Sequence, residues 1–237
     1  LFRSDPKLSA WSKEDERLRR LKTPKEQRPP KPLRDERYPT KQQLALQLMA
    51  RFKKTYPNIS IKATVADALY GSAEFVDAAQ KIFGTQVISQ IRKNQNITFK
   101  GKSITIEDYF NQYSYSVKQT ITIRGYKEVT AWISSARLYV NAHKKKRFII
   151  AIKYDGEKDR YKDRYIVASD LTWRTRDIVE AYSLRWLVEG FFSDWKLYEG
   201  WSQLAKQPGD EGSSRSLILS LLLDHCLLLH PQQAARF

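Results

Sequence analysis

One cysteine, Cys226, stands in the whole chain, so no internal disulfide framework is possible. Histidine is scarce as well. Three scattered residues give no credible Cys/His zinc site. No apolar run is long enough for a membrane. The longest, around Leu217 to Leu229, is broken by Ser220, Asp224 and His225. It falls short of the roughly 20 residues that a spanning helix needs. No secretory signal opens the chain, and its first residue is Leu1 rather than methionine. The cytoplasm is therefore the expected location. The chain is read as a fragment or as the product of a larger reading frame.

Acidic residues are also in deficit. The chain has 26 Asp and Glu against 42 Lys and Arg, a net charge of +16. Such a surplus points to a polyanionic partner, because each cation placed on a phosphate releases condensed counterions. A merely soluble or ribosome-associated basic protein has the same charge, and charge alone does not separate the two. What is present otherwise is ordinary. Hydrophobic residues make up 41% of the chain, enough for a globular core.

Residues 1–39 hold six of the nine prolines and dense mixed charge, and read as an extended, mostly irregular arm with a short helix near Glu14 to Leu21. A helix is expected from Thr40 to about Tyr56, with Leu44, Leu48 and Phe52 on its apolar face and Pro57 as its stop. Alternation of Ile59, Ile61, Ala63 and Val65 marks a strand ended by Asp67. Gly71 and Ser72 open a second helix to about Phe83, and Gln86 to Ile91 reads as another strand. From about Thr98 to Ser169 the pattern is β-rich, with strands at Ile121 to Ile123, Val129 to Val140, Phe148 to Tyr154 and Tyr165 to Ala168. A long helix from about Thr175 to Tyr198, a Pro208-Gly209 loop and an apolar helix from about Ser213 to Leu229 complete the chain. The expected class is α/β, divided into an arm (1–39), a first core part (40–96), a β-rich insertion (97–171) and the last helices (172–237).

The segment from Tyr182 to Lys196 carries the chemistry. At about 100° per residue, Tyr182, Arg185, Glu189 and Lys196 fall within roughly 60° of one another on a helix. Leu184, Leu187, Val188, Phe191 and Trp195 fall nearly opposite, as a packing face. A carboxylate between two cations suits a site that holds a metal and a phosphate together. A solvated face with an Arg–Glu pair one turn apart fits the same spacing.

The spacing Tyr182, two residues, Arg185, three residues, Glu189, six residues, Lys196 resembles the Y-(2)-R-(3)-E-(6)-K signature of IS4-type DDE transposases. Ala66-Asp67-Ala68-Leu69-Tyr70-Gly71 resembles the region around the second catalytic aspartate of that family, and Pro39 to Ala45 the helix before it. The resemblance covers roughly residues 40–230. It implies an RNase H-like catalytic core with a β-rich insertion, and a metal-dependent enzyme that cuts transposon ends and joins them to target DNA. Asp67 and Glu189 would be the catalytic metal ligands for two Mg²⁺ or Mn²⁺ ions. Tyr182, Arg185 and Lys196 would hold DNA phosphates. Duplex DNA is the implied partner, bound by a homodimer on paired ends.

Asp67 also suits a helix N-cap. The family's first acidic residue lies on an early strand. Asp5, Asp15 and Asp35 lie in the charged arm without strand patterning, so the first three strands and that aspartate are expected to be absent from this chain. Other readings stay open: a non-catalytic DNA-binding or inhibitory fragment, or another RNase H-like metal nuclease. His143-Lys144-Lys145-Lys146-Arg147 reads as a hairpin tip, either gripping DNA backbone or simply solvated. Trp132, Tyr161 and Trp173 are candidates to stack on an unpaired base or to pack in the core. His225 and Cys226 read as core residues.

Overall fold

The structure, a computed structural model, describes residues 5–155 and 164–197, with 215, 218, 219, 221 and 222, which are helical and exposed. Tyr161, the Pro208-Gly209 loop, His225 and Cys226 lie outside the described residues.

The arm is more ordered than its proline content predicts. Helix α1 spans Pro6–Arg20. Asp5 caps it, its Oδ1 accepting from the Lys7 and Leu8 amides, and Pro6 sits at the first helical position. Ion pairs Glu14–Arg17, Asp15–Arg19 and Glu16–Arg20 line its surface. Leu8, Trp11 and Leu18 give the helix only a sparse, half-buried apolar face, which the ion pairs supplement. All three acidic candidates of the arm have local partners. Asp5 Oδ2 accepts from the Asp35 amide, Asp15 pairs with Arg28, and Asp35 pairs with Arg37.

Helix α2 (Lys41–Thr55) opens with a capping box between Thr40 and Gln43. Its packing face differs from the expected one. Ala45, Leu46 and Met49 meet Phe75, Val76 and Ala79 of helix α3 (Ala73–Phe83), while Leu48 and Phe52 are exposed. Strand β1 (Ala63–Ala66) is shorter than its alternation suggests, because strand β2 (Gln86–Gln90) pairs with those four residues only. Ile59 is left exposed.

Beyond β2 come strands β3 (Asn96–Phe99) and β4 (Lys102–Thr105), helix α4 (Ile106–Tyr113), and strands β5 (Val117–Ile123), β6 (Lys127–Val140), β7 (Lys145–Tyr154) and β8 (Arg164–Ala168). Among the described residues, eight strands form one sheet in the order β1-β2-β8-β7-β6-β3-β4, with β5 also paired to β6. Only β1–β2 is parallel. The β-rich stretch is thus continuous with the sheet that carries Asp67, through the antiparallel pairing Ile88↔Ala168. Strand β7 is buried on both faces. Phe148, Ile150 and Ile152 join the core under helix α5 (Thr175–Ser183), and Ile149 and Ala151 join the core under α4. Each fully buried Ile stabilises the fold by about 1.5–3 kcal/mol, so this strand anchors both halves of the core.

The expected long helix is two helices, α5 and α6 (Arg185–Leu197). Ser183 Oγ donates to the Glu180 carbonyl at 2.6 Å and accepts from the Arg124 amide at 2.9 Å. Such back-bonding bends helices, and the chain passes through a tight turn at Leu184. The apolar set of this segment also behaves differently from expectation. Trp195 is buried, but Leu184, Leu187, Val188 and Phe191 are exposed.

Candidate active site

Asp67 leaves the C-terminal end of β1 and caps a short 3-10 turn, Ala68–Tyr70. Its Oδ1 accepts from the Leu69 amide at 2.8 Å, so the capping role and an outward carboxylate coexist. The turn is held from several sides. Ser89 Oγ donates to the Asp67 carbonyl at 2.7 Å, and Gln42 Nε2 donates to the Leu69 carbonyl at 2.5 Å. Gly71 packs so closely on β2 that a Cβ there would overlap the Gln90 carbonyl.

Glu189 reaches the same place from α6. A cavity of about 410 Å³ is lined by Asp67, Glu189 and Arg185, with apolar walls from Ala45, Met49 and Val188. The two carboxylates that the sequence singled out therefore share one cavity. Arg185 Nη1 donates to Glu189 Oε1 at 2.5 Å. Partial burial pulls the guanidinium's pKa down, but the Glu189 hydrogen bond and the Glu189 and Tyr182 interactions together outweigh this and raise it. Its buried Nε has no hydrogen-bond partner among the described residues.

Arg185 also borders a second cavity of about 360 Å³, with Tyr182, Gln90, Arg124, Arg164 and Trp186. Tyr182 is buried, and its hydroxyl lies 3.4 Å from Gln90 Oε1. Burial raises the phenol's pKa, against the nearby Arg185 charge, so it stays a proton donor at neutral pH. Arg124 stacks on Trp186, 3.9 Å from the ring centroid. The helix break places Tyr182 on α5 and Arg185 on α6, so the expected single stripe is split between two helices. Lys196, exposed in the last turn of α6, is not among the residues lining either cavity.

Arg124 and Arg164 were missed in the sequence. Arg124 sits with positive φ in the β5–β6 turn, in Arg124-Gly125, where the glycine is a local turn signal. Arg164 opens β8, and no local pattern marks it. The basic run at 143–147 is divided, with Lys144, Lys145 and Lys146 exposed. Arg147 and His143 are buried, and Lys145 pairs with Asp77 at 2.9 Å. Trp132 is exposed on β6 under Lys118 rather than in the core, whereas Trp173 packs against the α5-side core.

Two carboxylates beside a cationic cavity offer hard oxygen donors. A small divalent ion such as Mg²⁺ is commonly held by one or two carboxylates, with waters and substrate phosphates filling the rest. Asp67 and Glu189 are of the donor type that such an ion takes, and both line the cavity. No cluster of three or more metal-binding side chains occurs among the described residues, nor does any helix there have the length and hydropathy to cross a membrane.

No curated protein matches this chain. A family model described as the transposase DDE domain matches residues 37–209, a span that contains β1 through α6, Asp67 and Glu189. The chain therefore belongs to the transposase DDE domain family.

Proposed function

We propose that this chain is part of an IS4-type transposase, an enzyme that cuts DNA at transposon ends and joins them to a target. The observation that carries this reading is the cavity where Asp67, Glu189 and Arg185 meet. Asp67 and Glu189 would hold a divalent cation, Mg²⁺ or Mn²⁺, which supplies an activated oxygen nucleophile and charge stabilisation at phosphorus. Tyr182 and Arg185, with Arg124 and Arg164 around the adjoining cavity, would grip phosphate. The arginine fork suits bidentate contact, and the protonated phenol donates one further hydrogen bond. Lys196 would add a point charge further along the DNA. The core would be RNase H-like, and the work would be done in the bacterial cytoplasm by a dimer on paired ends.

A two-ion site needs a bridging ligand beyond this pair. Among the described residues no third carboxylate lines the cavity. That favours a stretch that binds DNA and one ion but does not complete cleavage unaided. A cleavage assay on DNA bearing the element's own ends tests activity. Metal placement is tested separately by Fe²⁺-directed hydroxyl-radical scission of the polypeptide. Cuts should cluster near residues 67 and 189, and both clusters should fade in Asp67→Asn and in Glu189→Gln. Cuts elsewhere, or cuts indifferent to both substitutions, would overturn the site.

A further inference from the structure

We infer that His143 is a positioning residue for Asp67, holding the turn that carries this carboxylate through the Gly71 carbonyl. The inference rests on the proposed role of Asp67 as a metal ligand.

His143 lies in the 3-10 turn (Asn141–His143) between β6 and β7 and is 5% exposed. Its two ring nitrogens have fixed partners. Arg147 Nε donates to Nδ1 at 3.0 Å, and Nε2 lies 3.1 Å from the Gly71 carbonyl oxygen. An arginine N–H only donates and a carbonyl only accepts. Nδ1 must therefore be bare and Nε2 must carry the proton, so the ring is neutral. Arg147, itself 1% exposed, is fixed in turn by Asp77 of α3, 2.5 Å from its Nη2. The chain of contacts runs Asp77, Arg147, His143, Gly71.

Gly71 ends the Asp67 turn, whose amides at Leu69, Tyr70 and Gly71 all bond back into it. Ser89 holds the carbonyl at its start and Gln42 the one at Leu69. His143 supplies the third restraint, and the only one among these from the β6–β7 connection. Its loss takes the donor from a part-buried carbonyl and frees the far end of the turn. Histidine's ordinary roles as ligand or proton carrier do not apply, because both nitrogens are engaged.

The test uses the full chain with two substitutions. His143→Phe keeps the ring volume and removes both polar contacts. His143→Gln supplies one N–H donor and one acceptor. Amide exchange at Leu69, Tyr70 and Gly71 should quicken about fivefold to tenfold in the Phe variant relative to amides of β7. Mn²⁺ affinity should fall by about tenfold, the low end for a lost outer hydrogen bond at a metal site. The Gln variant should recover both, whatever its melting temperature. Unchanged exchange in His143→Phe, or identical behaviour of the Phe and Gln variants, overturns the inference. If the Phe variant does not fold, the ¹⁵N shifts of His143 in the native chain decide. A protonated Nδ1 at neutral pH overturns the assignment, and a bare one with the Gln variant's exchange near native supports it. Mn²⁺ affinity that is unchanged by Asp67→Asn would remove the site reading instead, while the exchange data still report whether His143 holds the turn.

Discussion

Arg185 and Glu189 stand one turn apart on α6, with Nη1 2.5 Å from Oε1. The carboxylate proposed to bind a cation is thus already engaged by a guanidinium. The same guanidinium borders the cavity proposed to bind phosphate. Metal and arginine compete for Glu189, and DNA would relieve the competition by drawing Arg185 away. Arg185→Ala should therefore move two affinities in opposite directions. Mn²⁺ binding in the absence of DNA should tighten by about threefold, the scale of a partly exposed ion pair. DNA binding should weaken. Calorimetry for the ion and fluorescence anisotropy for the duplex measure the two. A loss of both affinities would mean that Arg185 supports the carboxylate rather than competing with it.

The net charge of +16 and the arginine-lined cavity predict binding that depends on salt. The log–log slope of affinity against salt should approach −0.9 for each phosphate neutralised. Arg124→Ala and Lys196→Ala should each flatten it by about one unit. Equal slopes in all three proteins would show that these side chains do not touch the backbone.

Asp77 bonds two cations of very different burial. Arg147 is 1% exposed at its side chain and Lys145 is 49% exposed. Asp77→Ala strands the buried guanidinium and should cost about 3 kcal/mol or more. Lys145→Ala removes a solvated partner and should cost about 0.5 kcal/mol or less. Urea unfolding of both variants gives the comparison. Similar losses would mean that Arg147 finds another acceptor once Asp77 is gone.

His143 sets a pH dependence. Burial, aided by the Arg147 charge, lowers its pKa below the ordinary 6.5, with the Gly71 bond and the Asp77 and Glu74 carboxylates opposing. As pH falls, the unfolded chain takes up this proton first. The contribution to stability is therefore complete above about 6.5 and is lost as pH falls from there toward the lowered folded value. Asp77, whose pKa is lowered by Lys145 and Arg147 in spite of desolvation, acts only in the carboxylate range below that window. Unfolding free energy measured between pH 7 and pH 5 should decline in the native chain and decline less in His143→Gln. Parallel curves would place the titrating group elsewhere.

The strands from β6 to β8 were readable because alternation and β-branching are local properties, and the run Phe148 to Ile152 was readable because both of its faces are buried. Asp67, Arg185 and Glu189 were found from short motifs that fold into one cavity. The misreadings share a cause. Whether Leu48 or Leu46 faces inward depends on α3, and the break at Leu184 depends on the Arg124 amide some sixty residues earlier. Arg147 reads as part of a basic hairpin tip, because its acceptor Asp77 lies on a helix 70 residues away. Helix α4 had a local signal that was passed over: Thr105 accepts from the Asp108 amide, a capping pattern inside a stretch read as strand. Helix α1 is the converse case, where the Asp5 cap and ion pairs supplement a sparse apolar face of Leu8, Trp11 and Leu18.

The sheet order also bears on how the site comes into being. Asp67 belongs to a strand–helix–strand stretch in which β1 and β2 pair through a single intervening helix. Glu189 reaches the cavity only after β8 has returned to pair with β2 and β7, and after α5 has docked against β5. Contacts of such long sequence separation form late, because the loop must close before they repay its entropy. The two carboxylates therefore belong to early and late stages of folding. A cation held between them, as proposed, would stabilise only the finished molecule, so it would slow unfolding and leave the rate of folding almost untouched.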